Sequence, residues 1–421
     1  MKILVVGSGS REHAMGYYLK RGAPSSWRLY FLPGNSGTRE LGEAVPLDPL
    51  DADRVAAWAA EEGVDLAWVG GEEPLLKGLV DGLKARGIAA FGPPQKAALL
   101  EGSKIFAKTF MARHGLPTAP FRVAQSYEEA LSLLRHFPQG VAVKADGLAR
   151  GKGVAVAEEA GEALPYLQAF LREGVLGEAG RRVVLEERLK GREVSLHGLL
   201  FPEGSFLLPL ARDHKRLLDG DEGPNTGGMG AVAPVEEELL PLLRRTIWDP
   251  LLEALRDEGL YYTGTLYVGL MITDDGPKIL EFNVRLGDPE AQVLLPLVRE
   301  PWWEIMAYAR EGKVPPRLSF RPGVRVGVVV ARRGYPQGRP ENPMPFPMEK
   351  LMAYPGLTLH PARELSHRGD RWEAGGGRLL TVTACGKDVE EARRQVYRAL
   401  EEAFQDGDDI HYRRDIGRGS L

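Results

Sequence analysis

The chain has 421 residues, enough for about three domains that each bury a core, and 54 basic against 58 acidic side chains leave a net charge of -4. That balance argues against a nucleic-acid or membrane surface as the main partner, and the single cysteine, Cys385, excludes an intramolecular disulfide or a thiolate zinc cluster. Met1 to Val6 is too short, and too soon followed by glycines, for a signal peptide, and no apolar run approaches about 18 residues, so a cytoplasmic monomer is expected.

Residues 1–102 read as a first, Rossmann-like unit. Lys2-Ile3-Leu4-Val5-Val6 predicts a buried parallel strand, Gly7-Ser8-Gly9-Ser10 a tight turn, and Arg11-Glu12-His13-Ala14 a helix start whose backbone amides suit an anion. Glu12 stands where a dinucleotide fingerprint has its third glycine, and the strand from Arg28 to Leu32 runs into Pro33-Gly34-Asn35 with no acid to hold a ribose, which argues against NAD. Further strands are expected at Asp65 to Val69 and Ile88 to Phe91, with helices at Arg54 to Glu62 and Pro74 to Arg86. The turns Pro33-Gly34-Asn35-Ser36-Gly37-Thr38 and Gly70-Gly71-Glu72-Glu73 then gather at one sheet edge, where ligands bind in this architecture; plain turn punctuation accounts for their glycines equally well.

A central unit, 103–120 and 191–325, surrounds a small domain at 121–190. Ser103 caps a helix to Arg113, Pro117-Thr118-Ala119-Pro120 reads as a linker, and Ser126 with Glu129 makes a capping box. Lys144-Ala145-Asp146-Gly147-Leu148-Ala149-Arg150-Gly151-Lys152-Gly153 lies between two apolar runs. It is one residue short of a Walker loop and leads into a strand, so it predicts a glycine-rich flap able to cover a triphosphate, with a flexible hairpin as the plain alternative. The strand Arg182 to Leu189 ends in Glu186-Glu187, and Leu189 with Glu193 could hold a purine base and its ribose; charged strand ends are also commonly just solvated.

Residues 211–230 read as a long polar loop whose glycines let backbone approach a substrate, with His214 a surface histidine. In Lys278 to Glu290, apolar residues at 280, 282, 284 and 286 alternate with Glu281, Asn283 and Arg285. A strand would then present a carboxylate, an amide and a guanidinium about 6 to 7 Å apart, hard oxygen ligands beside a charged fork, as a magnesium-bound phosphate requires. An edge strand with a solvated face shows the same alternation. The last unit, 326–421, has strands from Val326 to Ala331 and Leu379 to Ala384, an amphipathic helix from Asp388, and Arg413 and Arg414 as solvated terminal arginines. Three of the four asparagines, Asn35, Asn225 and Asn283, fall inside these motifs.

Taken in order, Gly7 to His13, Pro33 to Thr38, Lys144 to Gly153, Gly223 to Gly230 and Arg285-Leu286-Gly287-Asp288-Pro289-Glu290 resemble the phosphoribosylamine-glycine ligases, or glycinamide ribonucleotide synthetases, nearly end to end. The resemblance implies α/β and α+β multidomain architecture: an ATP-grasp fold with an N-terminal Rossmann-like domain and a small C-terminal α+β domain. It also implies an enzyme of purine biosynthesis that joins glycine to 5-phospho-D-ribosylamine and splits ATP to ADP and phosphate, with magnesium or manganese. By position it makes Glu281 and Asn283 the metal ligands, and Arg285 and Lys144 the catalytic pair. Lys104, Lys144, Gly151, Lys152, Glu186, Glu187, Leu189 and Glu193 would then meet ATP. Gly9, Asn35, Gly37, Asp213, Lys215, Asn225, Thr226, Gly227, Gly228, Met229 and Arg285 would face the substrates. Tyr267 to Met271 offers no further acidic ligand, so substrate phosphates or Asp288 would complete the metal set, and 338–372 departs from the pattern. A sister ATP-grasp enzyme using formate or bicarbonate would share the fold, and a nucleotide sensor would bind ATP without forming ADP.

Overall fold

The computed structural model describes residues 1–149, 153–338, 342–405 and 408–419. The opening segment builds a parallel sheet in the order Glu43–Ala44, Arg28–Pro33, Lys2–Gly7, Leu66–Val69, Ala89–Phe91. Ile3, Leu4, Val5 and Val6 are all inaccessible to solvent, as a sheet covered on both faces requires. The helix expected over 74–86 is two, Glu72–Leu76 and Leu79–Ala85, because Gly78 takes a φ of +80° between them.

The small domain is an antiparallel sheet in the order Phe121–Ala124, Val183–Glu187, Val141–Ala145, Val154–Ala157, with its own apolar core. Ser126 caps the helix Tyr127–Leu133 by accepting from the Glu129 amide, while the Glu129 carboxylate accepts from the amide of Gln125 rather than of Ser126. The central sheet runs Gly204–Leu207, Arg192–Phe201, Gly264–Thr273, Gly276–Asn283, antiparallel throughout. Pro117 to Pro120 is no free linker: the Ile279 amide donates to the Pro117 carbonyl at 2.7 Å, and Thr118 Oγ1 donates to the Ile279 carbonyl at 2.7 Å.

In the last segment the strands Val324–Arg332 and Arg378–Gly386 pair, and the helix Val389–Ala403, capped by Asp388, buries Val389, Ala392, Val396, Leu400 and Ala403 against them. Strands Gly230–Ala233 and Arg212–Asp213 from the central segment extend that sheet. The residues between them, expected as loop, therefore form a short ribbon, Arg216–Leu218 with Glu222–Asn225. The C-terminal segment crosses this ribbon and buries two residues expected at the surface. Arg413, 1% exposed, pairs with Asp221 at 2.7 Å and Asp415 at 2.8 Å, and the Gly417 amide donates to His214 Nε2 at 3.4 Å. Much of the stretch 338–372 is ordered as strands: Met344–Phe346 and Leu365–Arg368 pair with Arg371–Ala374, and Leu357–Pro361 joins the main sheet of the segment.

Candidate active site

A cleft of about 1670 Å³ runs between the small domain and the central sheet and on to the sheet edge of the opening segment. Its floor is the strand Gly276–Asn283, which departs from the expected alternation. The pairing register shifts between Gly269, opposite Glu281, and Leu270, opposite Ile279, so Leu280 is an extra residue in a bulge. The bulge turns Ile279, not Leu280, into the core and points both Leu280 and Glu281 at the cleft. It also frees the Leu280 carbonyl, which accepts from Lys144 Nζ at 3.1 Å. The regular strand ends at Asn283, so Arg285 stands on the turn beyond it.

Two ammonium groups already crowd Glu281: Lys104 Nζ lies 2.8 Å from Oε2 and Lys215 Nζ 3.5 Å from Oε1. Burial works against an ionised carboxyl there, but the positive charges of Lys104, Lys215 and Lys144 prevail and hold Glu281 well below the usual carboxylate range. An ionised Glu281 with the Asn283 amide oxygen beside it is a hard-oxygen donor pair that fits magnesium or manganese. Tyr267 and Gly269 are the residues opposite them on the neighbouring strand, and neither supplies a carboxylate. Asp288, a possible third ligand from the sequence, is engaged elsewhere, 2.7 Å from Arg378 Nη2 and accepting from Gln292 at 2.6 Å. Among the described residues no group of three or more His, Cys, Asp or Glu side chains is placed to hold a metal.

The roof is the small domain. Val141–Ala145 pairs with Val154–Ala157 through Lys144 opposite Val154, the strand, flap, strand geometry expected, and Gly147, Leu148, Ala149 and Gly153 line the cleft. Gly151 and Lys152 lie outside the described residues. Glu186, Glu187, Leu189 and Glu193 also line the cleft. The Glu186 carboxylate, however, is turned to two lysines: its Oε2 is 2.8 Å from Lys108 Nζ and 2.9 Å from Lys144 Nζ. Those charges outweigh burial and lower its pKa, while burial, then the neighbouring Lys144 charge, pushes Lys108 down to about 8. Glu193 pairs with Lys215 at 3.3 Å.

At the far end the three βα turns meet as expected, with Gly7, Ser8, Gly9, Pro33, Gly34 and Gly71 in the wall. Glu12 explains its own presence in place of a glycine. Its carboxylate accepts from the Gly9 amide at 2.7 Å and fills the space over Gly7 and Gly70, where an added Cβ would come within 2.4 and 2.1 Å of it. Arg285 bridges the two ends of the cleft: Nη2 donates to Glu101 Oε1 at 2.7 Å, and Glu101 Oε2 accepts from the Val284 amide at 2.9 Å. Burial raises the Glu101 pKa, and Arg285 opposes that rise.

Asp213, Lys215, Asn225, Thr226 and Gly227 reach the cleft wall, whereas Asn35, Gly37, Gly228 and Met229 stand behind it. Asn35 Nδ2 donates to the carbonyls of Ser8 at 3.0 Å and Pro361 at 2.9 Å, bracing one turn on the last segment. Gly37 packs on Pro361 and His13, and Met229 is wholly buried. Gly228, with φ +103°, has no room for a Cβ, which would meet Pro289 Cδ at 2.4 Å. Half-buried Asp213 and buried Glu290 both have raised pKa values, through desolvation and, for Asp213, the neighbouring Glu290 charge. Sequence reasoning missed Glu101, Lys108, Glu290 and Arg378. Lys108 carried a signal, standing four residues after Lys104 on one helix face; Arg378 carried none.

A small antiparallel domain over an antiparallel floor, with Lys144 from the one and Lys104 and Lys215 beside the carboxylate and amide of the other, marks the ATP-grasp class. The phosphoribosylglycinamide synthetase ATP-grasp (A) domain matches residues 102–291, and the N and C domains of the same synthetase match 1–101 and 325–419. The phosphoribosylamine--glycine ligase of Caldanaerobacter subterraneus subsp. tengcongensis is 38% identical over 428 residues, covering 100% of both chains, and that of Allochromatium vinosum is 42% identical over 100% of this chain and 99% of its own. The crystal structure of the Thermotoga maritima phosphoribosylamine--glycine ligase superposes with a TM-score of 0.84 at 34% identity, covering 99% of this chain and 100% of that one. The chain belongs to the phosphoribosylglycinamide synthetase family.

Proposed function

We propose that this chain joins glycine to 5-phospho-D-ribosylamine at the expense of ATP, giving glycinamide ribonucleotide, ADP and phosphate, a step of de novo purine biosynthesis. The observation that carries this reading is the ionised Glu281 beside Asn283 on the cleft floor, ringed by Lys104, Lys144 and Lys215 and facing a glycine-rich turn. Residues 121–190 act as the lid over residues 103–120 and 191–325, with 1–102 and 326–421 closing the other end.

In this reading Lys104 and Lys144 take ATP phosphates, and Gly151 and Lys152 of the flap join them in binding ATP. The adenosine lies along Glu186, Glu187, Leu189 and Glu193. Glu281 and Asn283 hold magnesium or manganese, which when bound shields the phosphate charge. Lys104 and Lys215, against the two Glu281 oxygens, would stand beside that metal and add positive charge for anionic ligands. The turns at Gly9, Asn35 and Gly37 and the ribbon from Asp213 and Lys215 through Asn225, Thr226, Gly227, Gly228 and Met229 shape the substrate end.

A carboxylate resists attack by an amine, so a glycine oxygen first attacks the γ-phosphorus, the bond to ADP breaks, and glycyl phosphate forms. The ribosylamine nitrogen then attacks the carbonyl carbon, phosphate leaves with the bonding pair, and the nitrogen loses a proton. Neither step needs a protein nucleophile. Arg285 and Lys144 stabilise the charge that develops on phosphoryl oxygens, and the lid keeps water from the acyl phosphate.

One assay tests the reading: ADP release with glycine and the ribosylamine supplied together and separately. Release that requires both amine and glycine supports it. Release supported by formate or bicarbonate instead, or nucleotide binding without ADP formation, overturns it.

A further inference from the structure

Lys108 is buried at 2% exposure, stands off the cleft wall, and takes no part in the chemistry proposed above. It lies on the helix Lys104–Arg113, four residues from Lys104. Its ammonium reaches three elements at once: Glu186 Oε2 on the lid at 2.8 Å, Thr118 Oγ1 at 2.6 Å, and the Ile279 carbonyl of the floor strand at 3.5 Å. Lys144 makes the parallel set of contacts, to the same Glu186 oxygen at 2.9 Å and to the next carbonyl, Leu280, at 3.1 Å. One carboxylate is thus shared by two ammonium groups, and only Lys144 of the two faces the cleft.

We propose that Lys108 is a positioning residue of the nucleotide site: by taking half of the Glu186 charge it leaves Lys144 with positive charge to spend on a phosphate. Without Lys108, Glu186 and Lys144 would close into a neutral pair and the ammonium would be spent on its own counter-ion. With it, the three groups hold one net positive charge, and the side open to the cleft is the Lys144 side. A purely structural demand for bulk at this position would be met at lower desolvation cost by an apolar chain such as methionine. Sharing one oxygen also registers the lid strand Val183–Glu187 against the carbonyls of residues 279 and 280, directly before Glu281.

This inference rests on the nucleotide reading of the cleft, and one experiment separates the two. Dissociation constants of ADP with magnesium, and of adenosine as a phosphate-free probe, are measured by calorimetry on the full chain as wild type, Lys108→Met and Lys108→Arg, with circular dichroism to check folding. Lys108→Met is expected to weaken ADP about tenfold and adenosine less than about twofold, the signature of one lost, partly screened charge. Lys108→Arg is expected to hold ADP within about threefold of wild type. Unchanged ADP affinity in a folded Lys108→Met overturns the proposal, as does an equal loss for ADP and adenosine, which would mark a packing role. If Lys108→Met does not fold, Lys108→Gln takes its place, and failure of both assigns Lys108 to stability alone. A wild type that binds no ADP would instead bring down the nucleotide reading itself.

Discussion

The two ends of the cleft are built on opposite plans. At the lid end, single side chains carry the work: Lys104, Lys144 and Lys215 converge on Glu281 and Glu186, within 3.5 Å in every pairing. At the other end much of the wall is backbone, three glycine-bearing turns braced by Glu12 and Asn35, with Arg378 holding the Gly227 carbonyl of the ribbon beside them. An end made of charges tolerates movement, because long side chains can follow a charged ligand. An end made of amides must be rigid, so its design lies in the braces. Arg285 belongs to both, its guanidinium in the cleft and its counter-ion Glu101 buried at the root of the opening segment.

The largest expected effect therefore comes from Arg285. Arg285→Ala should lose on the order of 3 kcal/mol of transition-state stabilisation, roughly a hundredfold in the rate of ADP release. It also strands the buried Glu101 carboxylate, so the thermal midpoint should fall as well. Adding Glu101→Gln separates the effects: the midpoint should recover while the rate stays low. Near-normal turnover in the folded single variant would remove Arg285 from the chemistry.

The second effect tests the rigid end. His13 Nδ1 and His360 Nδ1 lie 3.1 Å apart, in a hydrogen bond joining the helix Ser10–Lys20 to the strand Leu357–Pro361. Burial pushes His13 down to about 4, and burial followed by the charge of His13 lowers His360 further. A histidine whose folded pKa is depressed costs nothing above about 6.5, and stability is lost as pH falls from there to about 4, by about 3 kcal/mol for His13 alone. Urea midpoints at pH 7.5 and 4.5 measure this, and His13→Gln should flatten the slope relative to wild type. Equal slopes would show that the seam does not titrate. Smaller again, Glu281→Gln at the charged end should raise the metal concentration for half-maximal rate by at least about tenfold; an unchanged titration would take Glu281 out of the ligand set.

The same contrast decides how much was legible in the sequence. Charged side chains at the lid end sit on local motifs, so Lys104, Lys144, Glu281 and Asn283 could be read from spacing and resemblance, and all four meet at the cleft. The bulge at Leu280 could not, because it depends on the register of Gly269 and Leu270 in another strand. Nor could the burial of His214 and Arg413, which is settled by a C-terminal segment some two hundred residues from the ribbon it covers. At the rigid end the glycines marked the turns, but the bonds that tie one turn to another and to the last segment, such as Asn35 to Ser8 and Pro361, are long-range. The resemblance set Asn35 among the substrate-facing residues; its bonds to Ser8 and Pro361, which need the fold, were not legible in the sequence.

Asn35→Ala tests that distinction and carries the smallest effect. Its amide donates to Ser8 and Pro361, and its side-chain oxygen accepts from the Thr38 amide at 3.0 Å, so it ties two turns of the opening sheet to the last segment. Losing these bonds should cost about 1 to 2 kcal/mol of stability, read as a lower urea midpoint. KM for the ribosylamine should rise severalfold as the backbone wall loosens. The dissociation constant for ADP should stay within about twofold of wild type, because none of these bonds reaches the lid. If ADP affinity fell in step with ribosylamine affinity, the two ends would be one mechanical unit, and the division between a compliant charged end and a braced amide end would fail.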